Sequence, residues 1–155
     1  MADEDTIIAF LRMSGPTTPT KVAKVICQPI ILASAHLSDL ISRKKVKISH
    51  LKIGGSPLYY LPGQEAQLYP FAAGNINPKD QQVLEELKEK KVLRESQLEL
   101  LPRVALRSLK DFAVPLQVNN QGKGELFWKW HLLSDTEADQ MIGAMVQQQM
   151  VHPLP

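Results

Sequence analysis

A single cysteine, Cys27, stands in 155 residues. That excludes an internal disulfide and any metal cluster built on several thiolates. Aromatic residues make up only 6% of the chain, and 18 Lys+Arg against 16 Asp+Glu leave a net charge of just +2. A surplus that small does not mark a nucleic-acid binder in bulk, so any such role must rest on where the cations fall. No stretch approaches the roughly 20 apolar residues of a membrane span. The opening "MADEDTIIAFLRM" is acidic before its apolar run, where a secretory signal would be basic. The expectation is a soluble, cytoplasmic protein in a reducing setting, with no membrane partner. What is present is an ordinary globular composition, 44% hydrophobic and 22% charged. It suits one compact domain or two small ones.

Catalytic constellations are also missing. His36, His50, His131 and His152 show no metal-ligand spacing. Cys27 has His36 near it in sequence but no third group to orient a nucleophile, and an inert cysteine is the plainer reading. The expectation is a non-enzymatic chain without metal or cofactor.

The periodicity predicts a helix over 4–13, with Ile7, Ile8, Leu11 and Phe10 on its apolar side, stopped by "SGP". "TTPTKVAKVI" supplies a threonine cap and a proline in the first turn of a second helix. "CQP" is a turn. A third helix follows, with Ala33, Leu37, Leu40 and Ile41 facing inward. Val46 and Ile48 then alternate with Lys47 and Ser49 as on a half-buried strand, and the phase shifts near His50, which predicts a bulge. "GGS" separates this run from "PLYYL". A phosphate loop would open a helix here and bring a lysine followed by Ser or Thr. Neither is present, so Gly54 and Gly55 read as a tight hairpin turn.

Residues 66–78 read as a linker with an apolar anchor at Leu68, Tyr69 and Phe71. "PKDQQVLEELKEKKVL" predicts a helix with Val83, Leu84, Leu87 and Val92 inward and Glu86 and Lys90 paired on the surface. "ESQLELLPRVALRSLKDF" holds one or two helices broken near Pro102, with Arg103, Arg107 and Lys110 as a basic stripe. A second hairpin spans "AVPLQV", a loop "NNQGKG" and "ELFWKWHLL". On it Trp128 and Trp130 share one face, and Phe127, Lys129 and His131 the other. Those aromatics either stack bases beside Lys123 and Lys129 or fill a core, and burial is the plainer reading. A final helix is capped by Ser134 with Glu137. It carries Met141, Ile142, Met145, Val146 and Met150 as an adaptable stripe, before a frayed tail.

The stretch "TPTKVAKVICQPIILASAHLSDLISRKKVKISHLKIGGSPLYYL" resembles the winged helix-turn-helix superfamily. Its second helix is Pro19–Ile26, its turn Cys27–Pro29, its recognition helix Ile30–Arg43 and its wing tip Gly54–Ser56. The "GGSPLYYLPGQE" wing is also similar to that of small uncharacterised archaeal proteins. The resemblance implies a winged helix over 1–65; with the linker over 66–78 and the smaller helix-plus-hairpin lobe over 79–155 read from the residues, the expected fold is α+β. That lobe is either a second, degenerate winged helix or a dimerisation element. The chain departs from DNA-reading members on the third helix. Its outward positions, Ile30, Ile31, Ser34, Ala35, Ser38 and Asp39, offer no bidentate base reader.

The cations sit elsewhere, at Lys21, Lys24, Arg43, Lys44, Lys45, Lys47 and Lys52. They are expected to meet a nucleic-acid backbone, DNA or RNA, with Tyr59 or Tyr60 adding a stacking face. The plainer reading is a solvated lysine face over packed tyrosines. A second functional reading is an assembly factor. In it Ile30, Ile31, Met141 and Met145 dock a protein such as a polymerase, a replication factor or the ribosome. The superfamily's use of terminal helices for dimerisation implies a homo-oligomer.

Overall fold

A computed structural model describes residues 2–151, with side chains from residue 3 to 147. The side chain of Met150, His152 and the expected frayed tail lie outside the described residues. The chain divides into two compact units, Met1–Ile76 and Asn77–Pro155.

Unit 1 runs α1 (Ala2–Ser14), α2 (Pro19–Ile26), α3 (Ile30–Ser42), β1 (Lys47–Ile53) and β2 (Ser56–Tyr60). Proline in the first turn of α2 gives up only an N–H that has no intrahelical partner there. Cys27 ends α2 in the left-handed region (φ 56°), and Gln28 N–H closes back onto Ala23 O at 3.1 Å. The chain then turns through three residues, and α3 meets α2 at 105°, the angle of a helix-turn-helix. Ile7, Leu11, Val22, Ala33, Leu37, Leu40 and Val46 form the core, with Ile8, Phe10, Ile26 and Ile41 packed at its margin.

β1 and β2 pair antiparallel around Gly54 and Gly55, both at positive φ (57° and 86°). That is the backbone a two-residue hairpin turn demands. The register shifts between Ile48 and Lys52, so the bulge lies where the sequence phase breaks. Its filling differs from expectation. Ile48 is 42% exposed, while Ser49 is buried. The Ser49 hydroxyl accepts the Leu58 N–H at 2.9 Å and donates to Leu51 O, standing in for the interrupted ladder. Thr17, between α1 and α2, exchanges N–H···O bonds with Tyr59 at 3.0 and 2.7 Å. It therefore lies beside the second strand of the hairpin. Three helices, a strand-like residue after the first, and a hairpin after the third make unit 1 a winged helix.

Two 3-10 turns, Glu65–Gln67 and Tyr69–Ala72, continue the unit, with Leu68 and Ala72 buried. Gln64 ties "LPGQE" to α1. Its amide donates to Leu11 O and accepts from Leu61 N–H, both at 2.8 Å.

Unit 2 runs α4 (Pro78–Lys90), β3 (Val92–Arg94), a 3-10 turn (Glu95–Gln97), α5 (Leu100–Ser108), β4 (Ala113–Asn120), β5 (Lys123–Trp130) and α6 (Asp135–Val151). The Asn77 side chain caps α4 by accepting Asp80 N–H at 2.8 Å. Val83, Leu84 and Leu87 are buried on α4, and Lys90 pairs with Glu86 at 3.0 Å. Val92 is not on this helix, because Lys91 turns to φ 73° and Val92 opens a strand. Pro102 does not break α5. It sits in the first turn, where no N–H is missed. The second hairpin turns through Gln121 and Gly122 alone (φ 55° and 84°), shorter than the expected loop. The sheet order is β3-β5-β4. Pro115 falls on β4, an edge strand, where a missing donor is tolerated.

Candidate nucleic-acid interface

The helix-turn-helix of unit 1 presents the outer face that its sequence predicts. Ile30, Ile31, Ala35, Ser38 and Asp39 are exposed and Ser34 is half-buried. Ile31 is 77% exposed, Ile30 52% and Leu32 48%. This surface holds no donor fork for a base edge.

The cations divide into two groups. Arg43 is already engaged: its guanidinium pairs with Glu4 of α1 and, at 2.8 Å, with Asp39 one turn back on α3. The pairing with Arg43 holds Glu4 below the usual carboxylate range and raises Arg43 further. Lys47 pairs with Glu65 at 2.8 Å, and Glu65 also accepts Gly63 N–H at 2.9 Å. By contrast, Lys21, Lys24, Lys44, Lys45 and Lys52 are exposed and have no ion-pair partner among the described residues. Lys21 and Lys24 stand one turn apart on α2, Lys52 is on β1 beside the wing tip, and Lys44 and Lys45 follow α3.

The turn after α3 explains how the last two are displayed. Lys44 is left-handed (φ 61°), and Lys45 N–H reaches back to Leu40 O at 2.9 Å. This closure favours glycine, since a Cβ in that region costs roughly 1 kcal/mol. A lysine here accepts the strain and projects a charge into solvent.

The tyrosines correct the expectation. Tyr59 and Tyr60 are each 7% exposed, and Tyr59 belongs to the core. Burial pushes the Tyr59 phenol up. A ring packed among Val22, Leu37 and Val46 has no face to offer a base, so Tyr59 leaves the interface.

In unit 2 the aromatic strand is likewise internal. Phe127, Trp128, Lys129 and Trp130 are all buried, because β5 is the central strand. Both faces of this strand are covered, so the burial reading holds and no aromatic is offered to a base. Lys129 donates to Leu133 O at 2.8 Å and reaches Asp135 at 3.2 Å. Arg103 donates to Glu95 O, and Arg107 holds the Glu95 carboxylate at 2.6 Å while lying over Trp128. Lys110 falls beyond the end of α5. The expected basic stripe is thus consumed or dispersed. On α6, Ala138 and Ile142 are the buried positions, and Met141 and Met145 are half-buried.

Sequence reasoning missed the polar network in unit 2. Arg94, 6% exposed, grips Glu125 through both Nε and Nη2. Asn120 and Ser96 donate to the same carboxylate at 3.2 Å each. Arg94, with these donors, holds Glu125 down to about 2. Among the described residues no group of three or more His, Cys, Asp or Glu is placed to hold a metal. No single helix there is long and apolar enough to cross a membrane.

No protein-family model matches the chain, and no curated protein is significantly similar to it. Solved structures do resemble it. The Zalpha domain of Carassius auratus PKZ, in complex with Z-DNA, is 28% identical over 39% of this chain and 92% of its own, at a TM-score of 0.35. Bordetella bronchiseptica BpsR, whose DNA binding is regulated by 6-hydroxynicotinic acid, is 22% identical over 58% and 77%, at 0.37. ScpB from Mycobacterium tuberculosis is 15% identical over 83% and 92%, at 0.29. The winged-helix fold of unit 1 follows from its own element order and strand pairing.

Proposed function

We propose that unit 1 binds the phosphate backbone of nucleic acid through Lys21, Lys24, Lys44, Lys45 and Lys52, with little reading of base sequence. The observation that carries this reading is the set of five exposed lysines without internal partners on a helix-turn-helix and wing. Free cations release counterions from phosphates, whereas Arg43 and Lys47 have acidic partners to leave first. The bare recognition helix supports positioning by backbone and shape, not a base code.

Charge reversal tests it. Lys44→Glu/Lys45→Glu is expected to weaken binding to a labelled duplex at low salt by at least about tenfold, equally for unrelated sequences. Unchanged binding overturns the reading. So does strong discrimination between two duplexes of equal length.

A further inference from the structure

The start of α3 and the last turn of α2 leave an apolar face that shares Lys24 with the proposed phosphate surface. Ile30, Ile31 and Leu32 are exposed there, and Val25 on α2 is 38% exposed. Beside them lies an open groove of about 610 Å³ lined by Thr20, Ala23, Lys24, Cys27, Gln28, Pro29 and Ile30. Ile30 lines the groove, and Ile31, Leu32 and Val25 leave further aliphatic surface in water on the same two helices, the mark of an interaction surface.

We propose that this groove docks an acidic amphipathic segment of a partner protein. Charge complementarity selects that occupant. Lys24 is the one charged residue in the lining, Lys21 stands a turn away, and no carboxylate lines the groove. Gln28 is already engaged, donating to Asp3 at 2.7 Å and facing His36 at 3.3 Å. Pro29, the cap residue before α3, brings no side-chain acceptor to the first turn, so the N–H groups of that turn add to the attraction for a carboxylate. A segment with apolar anchors at helical spacing would cover Ile30 and Ile31, while an Asp or Glu beside them would meet Lys24. A basic segment would bury its charge against Lys24 and is disfavoured.

The lone cysteine lies in the lining and gives a local readout. Random peptides displayed on phage are selected on the full chain, and the enriched ones are synthesised. The expected winners pair two or three large apolar residues with Asp or Glu. At saturation they slow alkylation of Cys27 by at least about tenfold, and Ile30→Ser/Ile31→Ser weakens them by a similar factor. Both isoleucines are exposed, so this variant keeps its core, which circular dichroism verifies. Lys24→Glu is expected to turn the preference toward basic peptides, and Lys44→Glu/Lys45→Glu to leave peptide binding intact. Enrichment of basic or uncharged peptides overturns the proposal, as does full binding by the double serine variant. Self-association in sedimentation that the serine variant abolishes assigns the face to a second copy, and the proposal falls. It falls equally if a duplex protects Cys27 and no peptide does, since the groove then belongs to nucleic acid.

Discussion

In unit 1, Thr17 lies beside β2, the second strand of its hairpin. In unit 2, β3 lies beside β5, again the second strand. The sheets are thus built in the same order, from a residue or strand that follows the first helix. The helices between differ: unit 1 has α2 and α3, while unit 2 has one 3-10 turn and α5. The cations differ more. In unit 2, Arg94, Arg107 and Lys129 are spent on Glu125, Glu95 and Asp135, while Lys79, Lys110 and Lys123 stay exposed but scattered along the chain. In unit 1, five lysines stay in solvent. A cation paired inside a fold stabilises it or fixes its geometry. A cation left in water contributes little to stability and stays available to a partner.

The sharpest way to break this contrast is Arg94→Ala. It strands the Glu125 carboxylate at a site where that side chain is only 15% exposed. The expected loss is about 3 kcal/mol of unit 2 stability. Both tryptophans belong to unit 2, so fluorescence during urea unfolding reports this unit alone. Phosphate binding by unit 1 should persist in the same variant. An unchanged midpoint would place the network outside the fold's support.

Acid acts on the same pair. Glu125 sits at about 2, against an ordinary 4.5. A depressed carboxyl contributes stability that is fully present above its unfolded value and lost as pH falls toward the folded one. Tryptophan fluorescence should therefore show unit 2 weakening between about pH 4.5 and pH 2, with the slope reduced in Glu125→Gln. Glu95, held low by Arg107 and also by the Trp128 N–H, adds to the same trend.

Lys44→Gly reverses the logic. Relief of the left-handed lysine should stabilise unit 1 by about 0.5–1 kcal/mol, offset in part by glycine's unfolded-state entropy. Phosphate binding should fall, with the salt slope reduced by about 0.9. Loss of both stability and binding would mean that Lys44 supports the fold. The smallest effect belongs to Arg43→Ala. Glu4 and Asp39 already hold this side chain, so duplex affinity should stay within about twofold, as for a weakly contributing exposed pair.

Local chemistry is legible in the sequence. The proline at the start of α2, the Gly54-Gly55 turn and the Ser134 cap each follow from residue type. The Ser134 hydroxyl does accept Glu137 N–H, at 3.1 Å. The bulge is legible as a break of phase, but its inward residue is not, because Ser49 is drawn in by a hydrogen bond and not by hydrophobicity. β3 is hidden because "VL" continues the helical period of α4, and only the backbone of Lys91 ends it. The state of the cations is least legible. Glu4 lies 39 residues from Arg43 and Glu65 lies 18 from Lys47, so no local pattern announces either pair. Tyr59 misleads for a related reason: the core residues that bury it, Val22 and Leu37 among them, lie far from it in sequence.

Phosphate recognition is read most plainly in the salt dependence of binding between the full chain and a duplex of arbitrary sequence. Five free lysines predict a slope of log K against log salt of about −4 to −5, and a weakening of two to three orders of magnitude between about 50 and 200 mM salt. Absence of binding at the lowest salt, or a slope near zero that the lysine substitutions do not change, would contradict it.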